Sequence, residues 1–330
     1  MYKKIVLLIV LCFLVVISCS SPSSPNSGSD GDIVNGGGSG ETGGGSGSGG
    51  DSGNTGDGGN TGGIDVPWTD IEEPLMPPVP ILDAEAMQYG IDISQEDSVI
   101  KEQIKTKLKK YESGKYKVIF IGTPKKEYAQ RNSLTYMVLE VIKNMDNLYY
   151  TEITIDVSKV YFNERKIKSG MFQGGVSLGY LDLKFILPEN SIRVIEGRAF
   201  RFLNNYLKVI EIPDSVIGID AAAFQPAETL ATITFKETSK LEYIGDYAFS
   251  YAIAKEILIP ASVKLIGTKA FGDSITTVTY LGTSPNAISH SENVFPSTAK
   301  TLILPNVADP KFDEWKNFLG GNFTEVKQHK

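Results

Sequence analysis

The side chains best suited to nucleophilic, acid–base or metal chemistry are few: Cys12, Cys19, His290 and His329. His290 lies between Ser289 and Ser291, but a Ser-His pair needs an orienting acid and an oxyanion hole to do nucleophilic chemistry. The Ser-His-Ser-Glu string shows neither, so we interpret it as a solvated polar loop. His329 lies in the tail, and the sequence predicts no triad around either histidine.

Three further motifs were weighed as chemical sites. Glu72-Glu73 is a paired carboxylate in a segment expected to be extended, where it would be solvated and not facing a partner across a pocket. The loop Gly122-Thr123-Pro124-Lys125-Lys126 lacks the glycine spacing and final Lys-Ser/Thr of a phosphate loop. Tyr149-Tyr150 precedes a predicted strand and is interpreted as packing. The sequence therefore predicts no catalytic residues, no metal site, no small-molecule cofactor and no enzyme.

Cys19 has the surroundings of a lipid-attachment site. Lys3 and Lys4 precede an uninterrupted apolar run over 5–17, shorter than the roughly 20 residues that span a bilayer. Val16-Ile17-Ser18-Cys19 resembles the lipobox of bacterial lipoproteins. The resemblance implies that the signal peptide 1–18 is removed with Cys12, and that Cys19 carries a covalent lipid, the only non-protein group expected. The alternative is an ordinary secretory signal cut near Ser20, with Cys19 incidental.

Composition divides the rest of the chain. Residues 19–63 are nearly all Gly, Ser, Asn, Thr and Asp, which predicts a long disordered tether, since such a stretch buries too little apolar surface to fold. A calcium-binding glycine repeat is the alternative, but its regular apolar residue is missing. Residues 64–95 predict an acidic, Pro-rich extended segment. The chain has no Lys or Arg between Lys4 and Lys101 and a net charge of −7, and its basic residues are too scattered for a nucleic-acid partner.

An α/β region is predicted over 96–160. Apolar spacing predicts a helix over 97–111, capped by Ser94 or Ser98 with Val99, Ile100, Ile104 and Leu108 inward, and a second helix over 133–144. Strands are predicted over 116–121 and 151–157. A strand-helix-strand order implies a parallel pair, and we interpret the region as a cap on the first edge of the repeats that follow.

Repeats are predicted over 161–305. Six phenylalanines recur every 22 to 28 residues, and the middle four each follow an alanine and an upstream Ile-Gly or Ile-Glu/Asp string: Phe172, Phe200, Phe224, Phe249, Phe271 and Phe295. An alternating strand recurs between them, as in Leu207 to Pro213. This period predicts one coil per repeat, with stacked phenylalanines, a small alanine at a crowded turn and glycine permitting a tight turn.

The pattern strand-Ile-Pro followed by Ile-Gly-x-x-Ala-Phe resembles the BspA-like leucine-rich repeats of bacterial surface proteins. It is clearest in Glu256–Pro260 with Ile266–Phe271, and Phe312, Trp315 and Phe318 resemble that family's aromatic C-terminal cap. The expected fold class is mixed α/β: a leucine-rich-repeat solenoid with one short parallel strand per coil, an N-terminal α/β capping region, a disordered tether, and a C-terminal cap and tail over 306–330.

Strand alternation predicts two outward rows that could bind a partner. Ile210, Ile233 and their equivalents point inward, leaving these ten residues outward: Glu211, Thr234, Leu258, Thr279 and Ile303 in one row, and Val209, Thr232, Glu256, Thr277 and Thr301 in the other. Their mixture of Thr, charge and aliphatic side chains suits a protein surface. The alternative is that these residues are simply good strand formers.

Three functions were compared. A surface module that binds an extracellular or host protein, for adhesion, is what the family resemblance implies. A structural or antigenic coat lipoprotein without a ligand is the alternative, and an enzyme using 96–160 is the third. The tether and the outward rows favour the first, and Ser20 after Cys19 is compatible with outer-membrane or cell-surface placement.

Overall fold

The computed structural model describes residues 76–145, 151–179 and 181–329, except for the side chains of residues 109–111. The predicted signal peptide, Cys19, the tether and Glu72-Glu73 lie outside these residues, as does Tyr149-Tyr150. In the described part of the chain, no helix combines the length and apolar character needed to cross a membrane.

The N-terminal region is a sheet with helices packed against it. Its elements are α1 (Ala84–Tyr89), β1 (Ile91–Asp92), α2 (Asp97–Lys107), β2 (Lys109–Glu112), β3 (Lys115–Gly122), α3 (Leu134–Lys143) and β4 (Thr151–Val160). Strands β1, β3 and β4 are parallel neighbours, as the strand-helix-strand order predicts, and β2 pairs antiparallel with β3. Strand β4 continues in parallel to β6 (Leu181–Ile186), so this sheet runs into the first repeat. Its role as a cap stays a prediction.

The start of the folded region was predicted too late. Residues 84–92, assigned from the sequence to the extended segment, form α1 and β1. Asp83 caps α1 by accepting the Ala86 N–H at 2.9 Å, and Lys117 on β3 contacts Glu85 of α1 at 3.1 Å and Asp156 of β4 at 3.0 Å. A six-residue helix is too short to show a helical repeat of apolar residues, so no sequence pattern predicts it.

Helix α2 also differs from its prediction. It ends at Lys107, because the chain continues into β2. Its N-cap residue is Glu96, which makes no side-chain capping hydrogen bond. Ser94, a predicted cap, donates hydrogen bonds to the Asp92 carboxylate instead. Ile100 and Ile104 are buried as predicted, but Val99 is 41% exposed. Helix α3 follows its prediction closely, since Ser133 caps it and its apolar face is buried.

Each repeat contributes one long and one short strand. The long strands after β6 are β8 (Val209–Ile212), β10 (Thr232–Phe235), β12 (Glu256–Ile259), β14 (Thr277–Tyr280) and β16 (Thr301–Ile303). The short strands are β5 (Lys166–Ile167), β7 (Val194–Ile195), β9 (Gly218–Ile219), β11 (Tyr243–Ile244), β13 (Leu265–Ile266) and β15 (Ser289–His290). The short strands form one continuous parallel sheet of six. Short parallel strands repeating in this way fit a leucine-rich-repeat type of fold.

The phenylalanine stack is confirmed. Phe172, Phe200, Phe224, Phe249, Phe271 and Phe295 form one row with neighbouring ring centroids 4.7 to 6.3 Å apart and interplanar angles of 27° or less. The alanines before the middle four are fully buried. Aromatic rings at this separation gain stacking energy in addition to the energy of burying their apolar surface. The row therefore forms the centre of the repeat core.

The glycines before these alanines have a different role from the one predicted. Gly245 and Gly267 are not in the left-handed region; instead, a Cβ atom at Gly267 would lie 2.5 Å from Asp246 N in the preceding coil. Close approach of neighbouring coils therefore requires glycine there. The left-handed backbone conformation is adopted instead by the residue just before each of these alanines. In successive repeats this residue is Arg198, Ala222, Tyr247 and Lys269.

The C-terminal residues fold onto the last repeat. Helix α4 (Phe312–Trp315) and the short 3-10 turn Phe318–Gly320 bury Trp315 and Phe318 against Tyr280, whose ring centroid is 6.1 Å from Trp315 and 4.8 Å from Phe318. Strand β17 (Glu325–Lys327) then pairs in parallel with β16. This strand was not predicted, because residues 325–327 were assigned to the tail. Phe312, predicted as part of the aromatic cap, is 46% exposed.

Candidate functional site

The ten residues of the predicted binding rows lie on β8, β10, β12, β14 and β16. The inward positions of the same strands are all buried, which confirms the alternation: Ile210, Ile212, Ile233, Phe235, Ile257, Ile259, Val278, Tyr280, Leu302 and Leu304. The outward side chains of these strands, together with those of β17, are called the long-strand face below. The sequence therefore identified the surface correctly for most positions, and its role in binding stays a prediction.

Ile303 is the exception among the ten, since it is only 4% exposed. It lies between Thr279 of β14 and Lys327 of β17, and β17 is the strand that the sequence did not reveal. Leu258 is also partly buried against the core. Exposed positions on the face are Val209, Glu211, Thr232 and Glu256, with Thr234, Thr277, Thr279 and Thr301 partly exposed.

The long-strand face is divided into two ladders. Val209 pairs in register with Thr232, and Glu211 with Thr234, across β8 and β10. A second ladder runs from β12 through β14 and β16 to β17. Although β10 and β12 lie wholly within the described residues, no hydrogen-bonded ladder joins them. The hydrogen-bonded ladder is therefore interrupted between β10 and β12.

Charged groups on and beside this face form ion pairs and hydrogen bonds with neighbouring residues. Lys236 contacts Glu189 at 3.0 Å and Glu211 at 3.4 Å, and its hydrogen bond to Glu189 is the main reason that its pKa is raised. Glu325 accepts hydrogen bonds from Lys327 at 3.1 Å and from Thr301 at 3.0 Å, which lower its pKa in that order. Such exposed pairs add little stability, but they fix where the charges of the surface lie.

Sequence reasoning missed a set of exposed apolar side chains on the turns between the phenylalanine row and the long strands. Tyr251 is 60% exposed and Ile253 46%. Phe202, which is partly buried, lies at the position of Tyr251 two coils earlier. Phe202 and Tyr251 each come two residues after a stacked phenylalanine, and both adopt left-handed backbone angles. The recurring position was visible in the sequence, but nothing there showed that the backbone turns it outward.

The two histidines do not form part of a shared chemical site among the described residues. His290 is exposed on β15, the last strand of the short-strand sheet, and so lies on an edge strand, not in the predicted loop. Its Nδ1 lies 2.8 Å from the Ser291 carbonyl oxygen. His329 is exposed near the chain end. Among the described residues, no group of three or more His, Cys, Asp or Glu side chains is placed to hold a metal ion.

Comparison with known families agrees with the repeat pattern. Residues 143–278 match the family model of the BspA type leucine rich repeat region, in six copies. No curated protein and no solved structure matches the chain. The matched segment is less than half of the chain. It contains strands β4 to β13 and the first two residues of β14, with the phenylalanines from Phe172 to Phe271. The match supports BspA-type repeats in this part of the chain, and such repeats suggest a module for protein interaction or surface display.

Proposed function

We propose that the chain is an exported lipoprotein, anchored through Cys19, that presents its repeats on the cell surface to bind an extracellular or host protein. The observation that carries the proposal is the BspA-type repeat region at 143–278, with its long strands presenting outward side chains in register. The lipobox-like Val16–Cys19 string and the Gly/Ser-rich stretch after it support anchoring and display.

The long-strand face has the composition of a protein-binding surface. Val209 is 47% exposed and pairs across the ladder with Thr232, which carries a hydroxyl group. Glu211, on the same strand, forms an ion pair with Lys236. Protein interfaces combine such apolar positions with a polar, solvent-accessible rim. The exposed apolar area on β8 and the threonine-rich area on β14 and β16 belong to different ladders, so we expect a partner that spans both.

Binding of the purified chain to an array of extracellular matrix and plasma proteins tests the proposal. The protein would carry Cys19→Ser, so that it is soluble, and a second version would also carry Val209→Lys and Thr277→Lys, one charge on each ladder. A third version with Ala261→Lys and Thr283→Lys is the matched control, since both residues are exposed outside the long strands. We expect the first and third proteins to bind at least one array protein, and the second to bind it at least tenfold more weakly.

Two results would contradict the proposal. Absence of binding to every protein on the array would favour a coat role without a ligand. Equal binding by all three versions would move the interaction away from the long-strand face. Circular dichroism of the three versions checks that the added charges leave the repeats folded.

A further inference from the structure

A cleft lies where the N-terminal region meets the first repeats, away from the residues discussed as a protein-binding face. Its volume is about 300 Å³, and Gln130, Ser177, Phe202, Asn204 and Asn205 contribute to its lining. We call it the amide cleft, after its three carboxamide side chains. Asn205 also lines an adjoining cleft of about 610 Å³, together with Glu152, Asp182, Lys208 and Thr229.

The three carboxamides of the amide cleft make no side-chain hydrogen bond to any residue in the described part of the chain. Gln130, Asn204 and Asn205 have no side-chain hydrogen-bond partner among the described residues, although the neighbouring Tyr206 and Ser133 are fully engaged. A carboxamide both donates and accepts hydrogen bonds. Three of them around one cleft therefore match a ligand whose groups also do both, and hydroxyl groups have this property.

The walls of the amide cleft are fixed in place. The Tyr206 hydroxyl accepts the Leu178 N–H at 2.7 Å and donates to the Val176 carbonyl at 2.7 Å, and the Gly174 N–H donates to the Arg201 carbonyl at 2.8 Å. These bonds hold the loop 174–178 against the following coil. A preformed site loses less conformational entropy when a ligand binds.

Gly175 leaves room for the Gln130 side chain. Its φ is +106°, a conformation that other residues rarely adopt, and a Cβ atom there would lie 2.1 Å from Gln130 Nε2. The absence of a side chain at Gly175 thus leaves the space that the Gln130 carboxamide occupies. This contact places one of the three carboxamides at the rim of the cleft.

Phe202 supplies an aromatic surface beside these polar groups. The Arg201 guanidinium carbon lies 4.3 Å from the ring centroid, over one face, so a ligand can stack only on the opposite face. The electron-rich face of an aromatic ring attracts weakly positive hydrogens, such as those on the C–H face of a sugar ring. An aromatic face next to carboxamides suits a pyranose, whose hydroxyls point to the sides and whose C–H groups point up and down.

The adjoining cleft favours an uncharged ligand. Lys208 is paired with Asp182 at 2.6 Å, and Glu152 with Lys184 at 2.7 Å, so its charged groups are already neutralised by neighbours. A charged ligand would have to displace one member of a pair. Together the two clefts give room for more than one sugar unit.

We infer that the amide cleft and its neighbour form a binding site for a neutral oligosaccharide, with Phe202 as the stacking surface and Gln130, Asn204 and Asn205 as hydrogen-bonding groups. The inference goes beyond the proposed function, because it uses other residues and a ligand of another class. A peptide ligand is disfavoured, because a peptide is recognised mainly through buried apolar or arginine anchors, and the cleft offers polar groups and one ring.

Native electrophoresis in gels that contain a neutral polysaccharide tests the inference. The probes are soluble starch, mannan, xylan, dextran and mixed-linkage β-glucan, with the sulfated polymer heparin as the charged comparison, and the protein is the full mature chain with Cys19→Ser. We expect at least one neutral polysaccharide to slow the migration at least twofold. Phe202→Ala and Asn204→Ala should abolish the retardation, and so should Gln130→Ala. Because Gln130 is exposed, we expect its replacement to leave the fold intact.

Tyr251→Ala is the matched control, because Tyr251 is an exposed aromatic at the same repeat position and lies outside both clefts. It should be retarded like the parent protein. Migration unaffected by every neutral probe, retardation by heparin alone, or retardation that survives both Phe202→Ala and Gln130→Ala would overturn the inference. The version with Val209→Lys and Thr277→Lys should still be retarded, so failure of protein binding and failure of sugar binding are distinguishable.

Discussion

Phe249 lies in the middle of the stacked row, with the rings of Phe224 and Phe271 at 4.9 and 6.3 Å, and its side chain is fully buried. Phe249→Ala should lower the free energy of unfolding by about 3–5 kcal/mol, because it removes buried apolar surface and leaves a cavity. Urea denaturation measures the change.

Tyr251→Ala serves as the control for this substitution, since Tyr251 is two residues away and 60% exposed. Surface changes usually stay within about 0.5 kcal/mol. A Phe249→Ala protein as stable as the Tyr251→Ala protein would show that the row does not hold the coils together.

Asp220 gives the repeats a dependence on pH. Burial raises its pKa, and the negative charges of Glu196 and Asp246 add to this, although its carboxylate accepts the N–H groups of Ala221 and Gly197. A carboxyl group with a raised pKa in the folded state stabilises the protein most at low pH, and that contribution is lost as the pH rises through the folded pKa. The charged form is therefore the unfavourable one at neutral pH.

Asp220→Asn should accordingly melt at the same temperature as the parent or higher at pH 7, because the amide oxygen can still accept the Ala221 N–H without carrying a charge. The difference should shrink as the pH is lowered toward 3.8, the ordinary value for Asp. Melting curves at several pH values measure this. A lower melting temperature at pH 7 with no change in the difference at low pH would contradict it.

The positions of some residues could be predicted from the sequence, and those of others could not. The in-phase phenylalanines and the inward Ile257 and Ile259 were predictable because the repeat makes each position recur. The exposure of Tyr251 was not, because it depends on a left-handed backbone at a non-glycine residue. Ile303 was misplaced because its burial depends on a strand more than 20 residues later in the chain.

At the scale of elements, close contact between successive turns explains the recurring glycine. A Cβ atom at Gly267 would lie 2.3 Å from Asp246 Oδ1 and 2.5 Å from Asp246 N. Gly267→Ala should therefore force neighbouring coils apart and destabilise the protein by about 1–3 kcal/mol, as overpacking does. Thermal melting measures the effect.

Gly179→Ala is its control, since a Cβ atom there would meet no described atom within 4 Å. It should leave the melting temperature nearly unchanged. Equal melting temperatures for the two variants would mean that the coils are not in close contact at Gly267.

The elements that the sequence predicted share a property. Helix α3 has two full turns of apolar spacing and the long strands alternate, so each carries its own signal. Helix α1, with six residues, and β17, with three, are too short for such a signal. They form because distant partners are available: Lys117 of β3 for α1, and β16 for β17.

At the scale of the whole molecule, the chain joins a repeat region to a long stretch without basic residues. The sequence between Lys4 and Lys101 contains no Lys or Arg, while all the Lys and Arg residues after it lie in or beside the folded region. We proposed that residues 19–63 of this stretch form the tether that joins Cys19 to the folded region. Two ligand classes were inferred for different surfaces of the repeats, and both proposals need the repeats to be reachable from outside the cell.

The proposed anchoring of the repeats outside the membrane through Cys19 can be tested by fractionation combined with protease treatment of intact producing cells. We expect the native protein to sediment with membranes and to be degraded by added protease, and Cys19→Ser to release the exported chain into the soluble fraction. A Cys19→Ser protein that stays in the membranes, or a native protein that survives protease in intact cells, would contradict it.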